Sequence, residues 1–361
     1  MKNLLLGTAA IAGLVLASAP AAAQMELTIG GHSKNYIGWL DQDEAAGADV
    51  NEFDMIRETE LHFNGESTLD NGLTFGFQVE AEVDGGDDSN TIEESYVYLS
   101  SGFGRVNLGS EDGAAYLLQV AAPSADSNID GIRQYINPVN YDALLGVAAG
   151  TTANAFGANT QGGIVQDYAQ DPTLAAEKIT YLSPNVSGFQ VGASFTPDAG
   201  DDQSRTGLAG FNVDDVNALD DVYEIAARYE GVVSNFGYAL GAGYVKADSD
   251  NAWNVGVDVD AGPIGVGVVY TDADDGLASQ GVDTDQLVVG VDYTTGPAKF
   301  GASYFTEDGD NSFDVDRYTG GVVYTAGPGL SFRGSVSYID LDAGAVDADA
   351  TSVLGGVQIN F

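Results

Sequence analysis

The chain has 361 residues, and its 54 acidic residues against 12 lysines and arginines give a formal net charge of -42. This acidity excludes a general nucleic-acid binder, which needs a basic surface. The absence of cysteine excludes zinc–thiolate sites, thiol nucleophiles and disulfides. Strong acidity can accompany disorder, but hydrophobic residues make up 44% of the chain and aromatic residues 10%, so the chain can form an ordered fold.

The first residues predict an export signal. Lys2 supplies the positive charge, an apolar run extends from Leu4 to Leu16, and three alanines offer a cleavage site before Gln24. The apolar run is shorter than the ~20 residues that a spanning helix needs. We therefore interpret residues 1–23 as a cleaved signal peptide and residues 24–361 as a single domain.

Alternation of apolar and polar residues recurs along the mature chain and indicates β-strands. From Gly72 to Asp84, for example, apolar side chains share one face and polar side chains the other. We count about sixteen such segments. Short turns such as Gly296-Pro297 alternate with longer acidic connections such as Asp198 to Asp220 and Asp342 to Asp349.

The alternation of short and long connections is typical of an outer-membrane β-barrel. Only helices and closed barrels cross a bilayer. The predicted fold class is therefore all-β, a sixteen-stranded antiparallel transmembrane β-barrel. Closure requires the first strand, roughly Glu26 to Trp39, to pair with the last, roughly Thr351 to Phe361.

Aromatic residues near the strand ends occur in pairs of equal parity, so both members of a pair face the same way. Tyr and Trp rings favour the headgroup level of a membrane, and we expect these pairs to form aromatic girdles. The pairs are Tyr96 and Tyr98, Phe189 and Phe195, Tyr223 and Tyr229, Phe236 and Tyr244, Phe300 and Tyr304, Tyr318 and Tyr324, and Phe332 and Tyr338.

One connection is much longer than the others. Alternation stops near Glu111 and resumes at Glu177, and the interval includes a predicted short helix from Ala114 to Ala122. Loops of this length are usually functional or disordered. In a barrel, such a loop can fold into the lumen and narrow it, so residues 111–176 are the predicted constriction loop, the third long loop.

Two segments resemble Gram-negative general porins, most closely those of alphaproteobacteria of the Rhodobacter type. The first is Gly102-Phe103-Gly104-Arg105-Val106-Asn107-Leu108-Gly109, and the second runs from Lys178 to Asp198. Phe361 matches the family's barrel-assembly signal. The resemblance implies a homotrimer in the outer membrane, in contact with lipid and lipopolysaccharide and inserted by the barrel-assembly machinery. It also implies passive diffusion of ions and small hydrophilic solutes.

Charged residues on the face opposite the large apolar residues are assigned to the pore, because Arg or Lys on the lipid face costs roughly 2–4 kcal/mol at the midplane. The predicted wall residues are Glu58, Glu60, His62, Glu80, Glu82, Arg105, Lys178, Arg228, Lys299, Arg317 and Arg333. The charged residues predicted on the loop are Glu111, Asp112, Asp126, Asp130, Arg133, Asp142, Asp167 and Asp171.

The early wall departs from the family pattern, which opposes basic wall residues to acids on the inward loop. Positions that are basic in enteric-type porins fall at Glu60 and Glu93, and Arg57 has the parity of the lipid face. Acidic side chains around a pore concentrate cations. We therefore expect a cation-preferring channel.

Acidic clusters in the other long loops could bind calcium, since carboxylates separated by glycine can wrap a hard cation. The candidates are Asp87, Asp88, Asp201, Asp202, Asp274 and Asp275. Catalysis is not expected, because His32 and His62 are the only histidines and both lie in strand patterns. A substrate-selective channel and a secreted calcium-binding surface β-protein remain alternatives.

Overall fold

A computed structural model describes residues 25–44, 49–83, 92–124, 138–140, 143–144, 168–199, 219–277, 282–310, 313–344 and 346–361. These residues form a closed barrel of sixteen antiparallel strands, in which each strand pairs with its neighbours in sequence. The predicted fold class is confirmed.

The first eight strands are β1 (Glu26–Gln42), β2 (Phe53–Thr68), β3 (Thr74–Glu82), β4 (Ile92–Ser101), β5 (Gly104–Ser110), β6 (Glu177–Leu182), β7 (Phe189–Asp198) and β8 (Asp220–Val233). The others are β9 (Phe236–Ala247), β10 (Asp250–Ala261), β11 (Ile264–Ala273), β12 (Thr284–Thr295), β13 (Ala298–Gly309), β14 (Phe313–Gly327), β15 (Leu330–Ala343) and β16 (Val346–Asn360).

The barrel closes where β1 pairs with β16, as predicted from the alternation at the two ends of the mature chain. His32 lies opposite Asn360, and the register continues to Gln42 opposite Ala350. The backbone of Phe361 extends this pairing, because its N–H donates to Gly31 O at 3.1 Å and its O accepts from Gly31 N at 3.0 Å. Closure leaves neither strand with an unpaired edge.

Strand alternation separates an exposed apolar face from a buried interior face. On β1 the odd-numbered residues Leu27, Ile29, Ile37 and Trp39 are exposed, whereas the even-numbered Tyr36 is 1% exposed. Later strands follow the same alternation, with Val255 and Val257 exposed and Asn254 buried on β10. The apolar exposed face suits contact with lipid, and the opposite face lines the inside of the barrel.

Aromatic side chains form bands on the outer face. Tyr304, Tyr318 and Tyr338 lie opposite one another on β13–β15, with ring centroids 5.0 and 6.5 Å apart. Near the other end of β14, Tyr324 lies opposite Phe332. The prediction is wrong for Tyr96 and Tyr98, whose positions on β4 pair with the interior face of β3 and β5.

The hairpin between β15 and β16 and the helix after β5 both differ from their predictions. The span from Asp342 to Asp349, predicted as a long loop, lies within β15 and β16, which are separated by a tight hairpin at Gly344. The predicted helix over Ala114 to Ala122 is shorter, because α1 covers only Ala114–Leu117. Among the described residues, no helix has the length and apolarity needed to cross a membrane.

Candidate pore constriction

A buried lysine contacts both ends of the long connection between β5 and β6. Lys178 on β6 is 5% exposed, and its Nζ donates to the backbone oxygens of Glu111 and Leu174. The side chain of Glu111 accepts a hydrogen bond from Asn107 Nδ2. Burial raises the pKa of Glu111 above its ordinary value. One cation therefore ties together the two ends of the loop.

The first described part of the loop, residues 111–124, is called the outgoing limb, and it is fixed to the inner wall at the start of α1. The backbone N–H of Ala114 donates to Ser194 Oγ at 3.0 Å, and that of Ala115 donates to Glu224 Oε2 at 2.9 Å. The last part of the loop, residues 168–176, is called the returning limb, and its Thr173 donates to the other oxygen of Glu224 at 3.3 Å. These contacts satisfy helix N–H groups that have no partner within the helix, so β7 and β8 hold both limbs inside the barrel.

A row of glycines on the inner face of β9–β12 allows the backbone of the outgoing limb to lie directly against the wall. A Cβ at Gly241 would lie 2.8 Å from Val120 Cγ2, and a Cβ at Gly256 would lie 2.9 Å from Val120 O. A Cβ at Gly290 would lie 2.2 Å from Pro123 O. Only glycine permits this approach, because a side chain would occupy the space of the loop backbone.

Tyr168 joins the returning limb to the outgoing limb against the same wall. Its hydroxyl accepts from Ala122 N at 3.0 Å, and its backbone O accepts from Gln119 Nε2 at 2.8 Å. Tyr168 is 3% exposed and packs with inner-face residues of β11, β12 and β13, including Val288 and Phe305. The two limbs therefore form one layer on this side of the interior.

The middle of the loop contacts a different part of the wall. Val139 and Leu144 pack in a buried cluster with inner-face residues of β1, β14, β15 and β16, including Leu40 and Phe313. Asn140 exchanges hydrogen bonds with the side chain of Gln42 on β1, at 2.9 and 3.0 Å. Described parts of the loop thus contact both the β7–β13 wall and the β14–β1 wall, as an inward-folded loop requires.

An acidic wall lies on the inner face of β2, β3 and β4. We define it by its six glutamates, which share this face through the strand register: Glu58, Glu60, Glu66, Glu80, Glu82 and Glu94. The only lysine or arginine on these three strands is Arg57, which lies on the exposed face, as predicted. The inner face of these three strands therefore carries carboxylates and no lysine or arginine.

Both histidines of the chain contact the acidic wall, His62 from its place on β2 and His32 from the neighbouring strand β1. His32 Nε2 is 3.1 Å from Glu58 Oε1 and 3.7 Å from Glu60 Oε2. His62 Nε2 is 2.6 Å from Glu60 Oε1, and the two imidazole rings meet edge to face with centroids 6.0 Å apart. Lys34 on β1 is fully buried, and its Nζ donates to Glu58 Oε1 at 2.9 Å.

The predicted basic residues occupy the rest of the interior. Arg105 lies over the ring of Tyr98, with Cζ 3.9 Å from the ring centroid, and donates to the hydroxyl of Tyr96. Arg228 donates from Nη1 to the backbone O of Gln119 at 3.0 Å. Arg105 therefore borders the acidic wall on β5, whereas Arg228 holds the loop.

Three more predicted basic residues lie on β13–β15. Lys299 pairs with Asp292 at 2.8 Å, beside Asp258 on the inner face of β10. Arg317 is 4% exposed, with its guanidinium 5.7 Å from the ring of Phe305. Arg333 donates from Nε to Ser331 Oγ at 3.3 Å. In the described part of the chain, positive charge is therefore distributed over several strands and does not form a ladder.

Glu93 is placed differently from its prediction. It is exposed, and a β-bulge between β3 and β4 shifts the register at this point, so that Glu94 lies opposite Glu80 instead. Extra residues of this kind change which side chain faces inward. Sequence reasoning also missed the convergence of His32, Lys34 and Glu58, because a sequence does not show which residues of neighbouring strands meet.

Several predicted residues lie outside the described part of the chain, as does the predicted signal peptide. They are Asp87, Asp88, Asp126, Asp130, Arg133, Asp142, Asp167, Asp201 and Asp202. Asp112 and Asp171 are described at the two ends of the loop, and Asp171 is buried.

Among the described residues, one group of three His, Cys, Asp or Glu side chains lies close enough to share a metal ion, and it consists of His32, Glu60 and His62. Asp274, a calcium candidate, accepts hydrogen bonds from the backbone and side chain of Asn251. The backbone N–H of the second candidate, Asp275, donates to Asp283 at 2.8 Å. Calcium binding stays a prediction.

A closed barrel with an inward-folded loop defines the molecule as a channel-type protein. Its sequence matches the Gram-negative porin family over residues 7–344. The chain belongs to this family, and the resemblance seen in the sequence is confirmed. The family assignment favours a channel over the secreted β-protein and over an enzyme.

Solved porin structures share the fold at low sequence identity. An anion-selective porin from Comamonas acidovorans is 16% identical, with a TM-score of 0.63, over 94% of this chain and all of that chain. A mutant of a Rhodobacter blastica porin is 18% identical, with a TM-score of 0.57, over 93% of this chain and all of that one.

A curated relative matches a shorter region. An uncharacterized protein of Rickettsia bellii is 26% identical over 118 residues, which is 31% of this chain. The matched region spans 26% of that relative's length.

Proposed function

We propose that the chain forms a water-filled channel in the outer membrane for passive diffusion of small hydrophilic solutes and ions, with a preference for cations. Membership of the Gram-negative porin family supports the channel. The loop that contacts both walls of the interior supports a constriction within it. The acidic wall carries the proposal of cation preference.

Charge on the inner wall provides the physical reason. The six glutamates lie on three adjacent strands, and the nearest basic side chains on the flanking strands are Lys34 and Arg105. Acidic side chains that line a narrow aqueous path raise the local concentration of cations and repel anions. The Comamonas porin is named as anion-selective. A shared barrel therefore does not fix selectivity, and the lining charges decide it.

Reversal potentials across planar bilayers in a KCl gradient test this proposal. We expect the wild-type potential to have the sign of potassium permeation. The double variant Glu80→Gln/Glu82→Gln should move the potential towards zero, because it removes two carboxylates from the acidic wall. A wild-type potential with the sign of chloride permeation would contradict the proposal.

A matched control carries the same charge change on the outer face. Asp314 and Asp342 lie opposite each other at exposed positions of β14 and β15. The variant Asp314→Asn/Asp342→Asn should keep the wild-type potential, since charges separated by more than the ~10 Å screening length at 0.1 M salt interact weakly. An equal shift in both double variants would mean that total charge, rather than the wall, sets selectivity.

We also propose that three copies associate in the membrane, in contact with lipopolysaccharide. Resemblance to general porins supports this assembly, and the apolar outer face offers the surface for it. Light scattering of the detergent-solubilised protein, corrected for bound detergent, measures the number of chains. A mass of one chain under conditions that preserve the folded barrel would contradict the trimer.

A further inference from the structure

We propose that His32, His62 and Glu60 form a binding site for a divalent transition-metal ion of the zinc type on the inner wall of the barrel. One ligand atom from each of these side chains lies within 4.8 Å of the others. The site is built by β1 and β2, because His32 is directly opposite Glu60 in the register and His62 is two residues further along β2.

The donor set has the chemistry that zinc-type ions prefer. Imidazole nitrogen suits Zn²⁺, Cu²⁺ and Ni²⁺, whereas Ca²⁺ and Mg²⁺ prefer oxygen ligands alone. Two histidines and one carboxylate provide three protein ligands, and water can complete a tetrahedral zinc site. Both Nε2 atoms flank the same carboxylate, at 2.6 and 3.7 Å, so the ion would replace the present direct contacts.

The required movement is small. Zinc binds nitrogen and oxygen ligands at about 2.0–2.2 Å, so two ligands of one tetrahedral ion are roughly 3.3 Å apart. Side-chain rotation can bring atoms that lie within 4.8 Å to that spacing. The side chains of His32 and Glu60 are 13% and 12% exposed and that of His62 is 32% exposed, which leaves a path from the aqueous interior.

Surrounding charge also favours a dication. Glu60 lies opposite Glu82, and Glu80 lies opposite Glu94, and like charges in directly opposed positions destabilise a sheet. The ammonium group of Lys34 contacts Glu58, at one edge of this group of carboxylates. A metal ion bound at Glu60 would offset the excess negative charge that the opposed pairs create.

Zinc titration of the folded, untagged protein in detergent tests the site. Isothermal calorimetry should show one Zn²⁺ per chain, with affinity reduced roughly tenfold or more in His32→Asn and in His62→Asn, since loss of even an outer-shell partner costs 10–100-fold. Glu66→Gln should bind as the wild type, because it removes a carboxylate from the same face outside the metal site. Ca²⁺ should not compete for the site.

Histidine NMR gives a second test that needs no variant. His32 and His62 are the only histidines in the chain, so both ring signals of ¹⁵N-histidine-labelled protein should shift when Zn²⁺ is added in stoichiometric amount. Ring signals that do not shift would overturn the proposal. Zinc binding that survives both histidine substitutions would also overturn it and would assign the ion to carboxylates elsewhere in the chain.

Binding would add positive charge to the acidic wall. We expect micromolar Zn²⁺ to lower the potassium conductance of the wild type and not that of His62→Asn, a consequence that rests on the proposed channel. Because calorimetry and NMR do not depend on conduction, they separate failure of the metal site from failure of the channel.

Discussion

The glycine row beneath the constriction loop leads to a prediction about Gly290→Ala. A Cβ at Gly290 would lie 2.2 Å from Pro123 O, whereas Cβ atoms essentially never approach other atoms closer than 3.0 Å. The loop backbone must therefore withdraw by roughly 0.8 Å, and overpacking of this kind costs about 1–3 kcal/mol. We expect this cost to weaken docking of the outgoing limb while the barrel itself stays closed.

A single introduced thiol measures the loosening, because the chain has no cysteine of its own. Ala122 is 4% exposed against the same wall, so Ala122→Cys should react slowly with a polar maleimide and only when the limb opens. Adding Gly290→Ala should accelerate labelling by roughly 5- to 150-fold, since each 1.4 kcal/mol corresponds to a factor of ten.

A second glycine on the inner face serves as the control. A Cβ at Gly237 meets only Asp260 Cβ at 3.4 Å and Asp260 Oδ2 at 3.6 Å, which is ordinary contact. Gly237→Ala should leave the labelling rate of Ala122→Cys unchanged. Equal rates in the two alanine variants would refute the argument that the glycine row holds the loop. Heat-dependent gel migration checks that each barrel is folded.

Three further predictions concern stability, measured by urea unfolding in lipid vesicles. Lys34→Met should destabilise the protein by about 3–5 kcal/mol, because it removes the ammonium group that contacts Glu58, and adding Glu58→Gln should restore part of the loss. Because burial raises the pKa of Glu111, the stability it contributes is complete below its ordinary pKa and is lost as pH rises through the folded value. The free energy of unfolding of Glu111→Gln should therefore rise relative to that of the wild type as pH increases above the ordinary carboxyl pKa. A difference between the two proteins that does not change with pH would contradict this. Asp314→Asn should increase the free energy of unfolding at low salt, because Asp308 and Asp342 lie opposite Asp314 and repel it. The expected gain is roughly 0.2–1 kcal/mol for each opposed charge. A gain of the same size in high salt would contradict an electrostatic cause.

Local alternation was sufficient to predict the barrel, and the reason is physical. Side chains alternate with period two in a strand, so the parity that placed Arg57 on the exposed face and Glu58 on the inner face survived in the structure. The pairing of β1 with β16 follows from the need to remove open edges. The placement of Glu93 rested instead on its correspondence with a basic position of enteric-type porins, and it failed because the β-bulge there turns Glu94 inward in its place.

Contacts between distant segments could not be predicted in the same way. The glycine row is formed by single residues of β9–β12, and its role is visible only once Val120 and Pro123 lie on it. Lys178 was predicted as a wall residue, but its hydrogen bonds to both ends of the loop depend on how the loop returns. Parity tells which face a side chain occupies, and register and loop path decide what it meets.

The reversal potential of the wild-type protein in a KCl gradient shows whether the acidic wall makes the pore prefer cations. The acidic wall on β2, β3 and β4 predicts a potential with the sign of potassium permeation, reduced in Glu80→Gln/Glu82→Gln. A potential with the sign of chloride permeation, unaffected by that double variant, would contradict the claim that the acidic wall sets the selectivity of the pore.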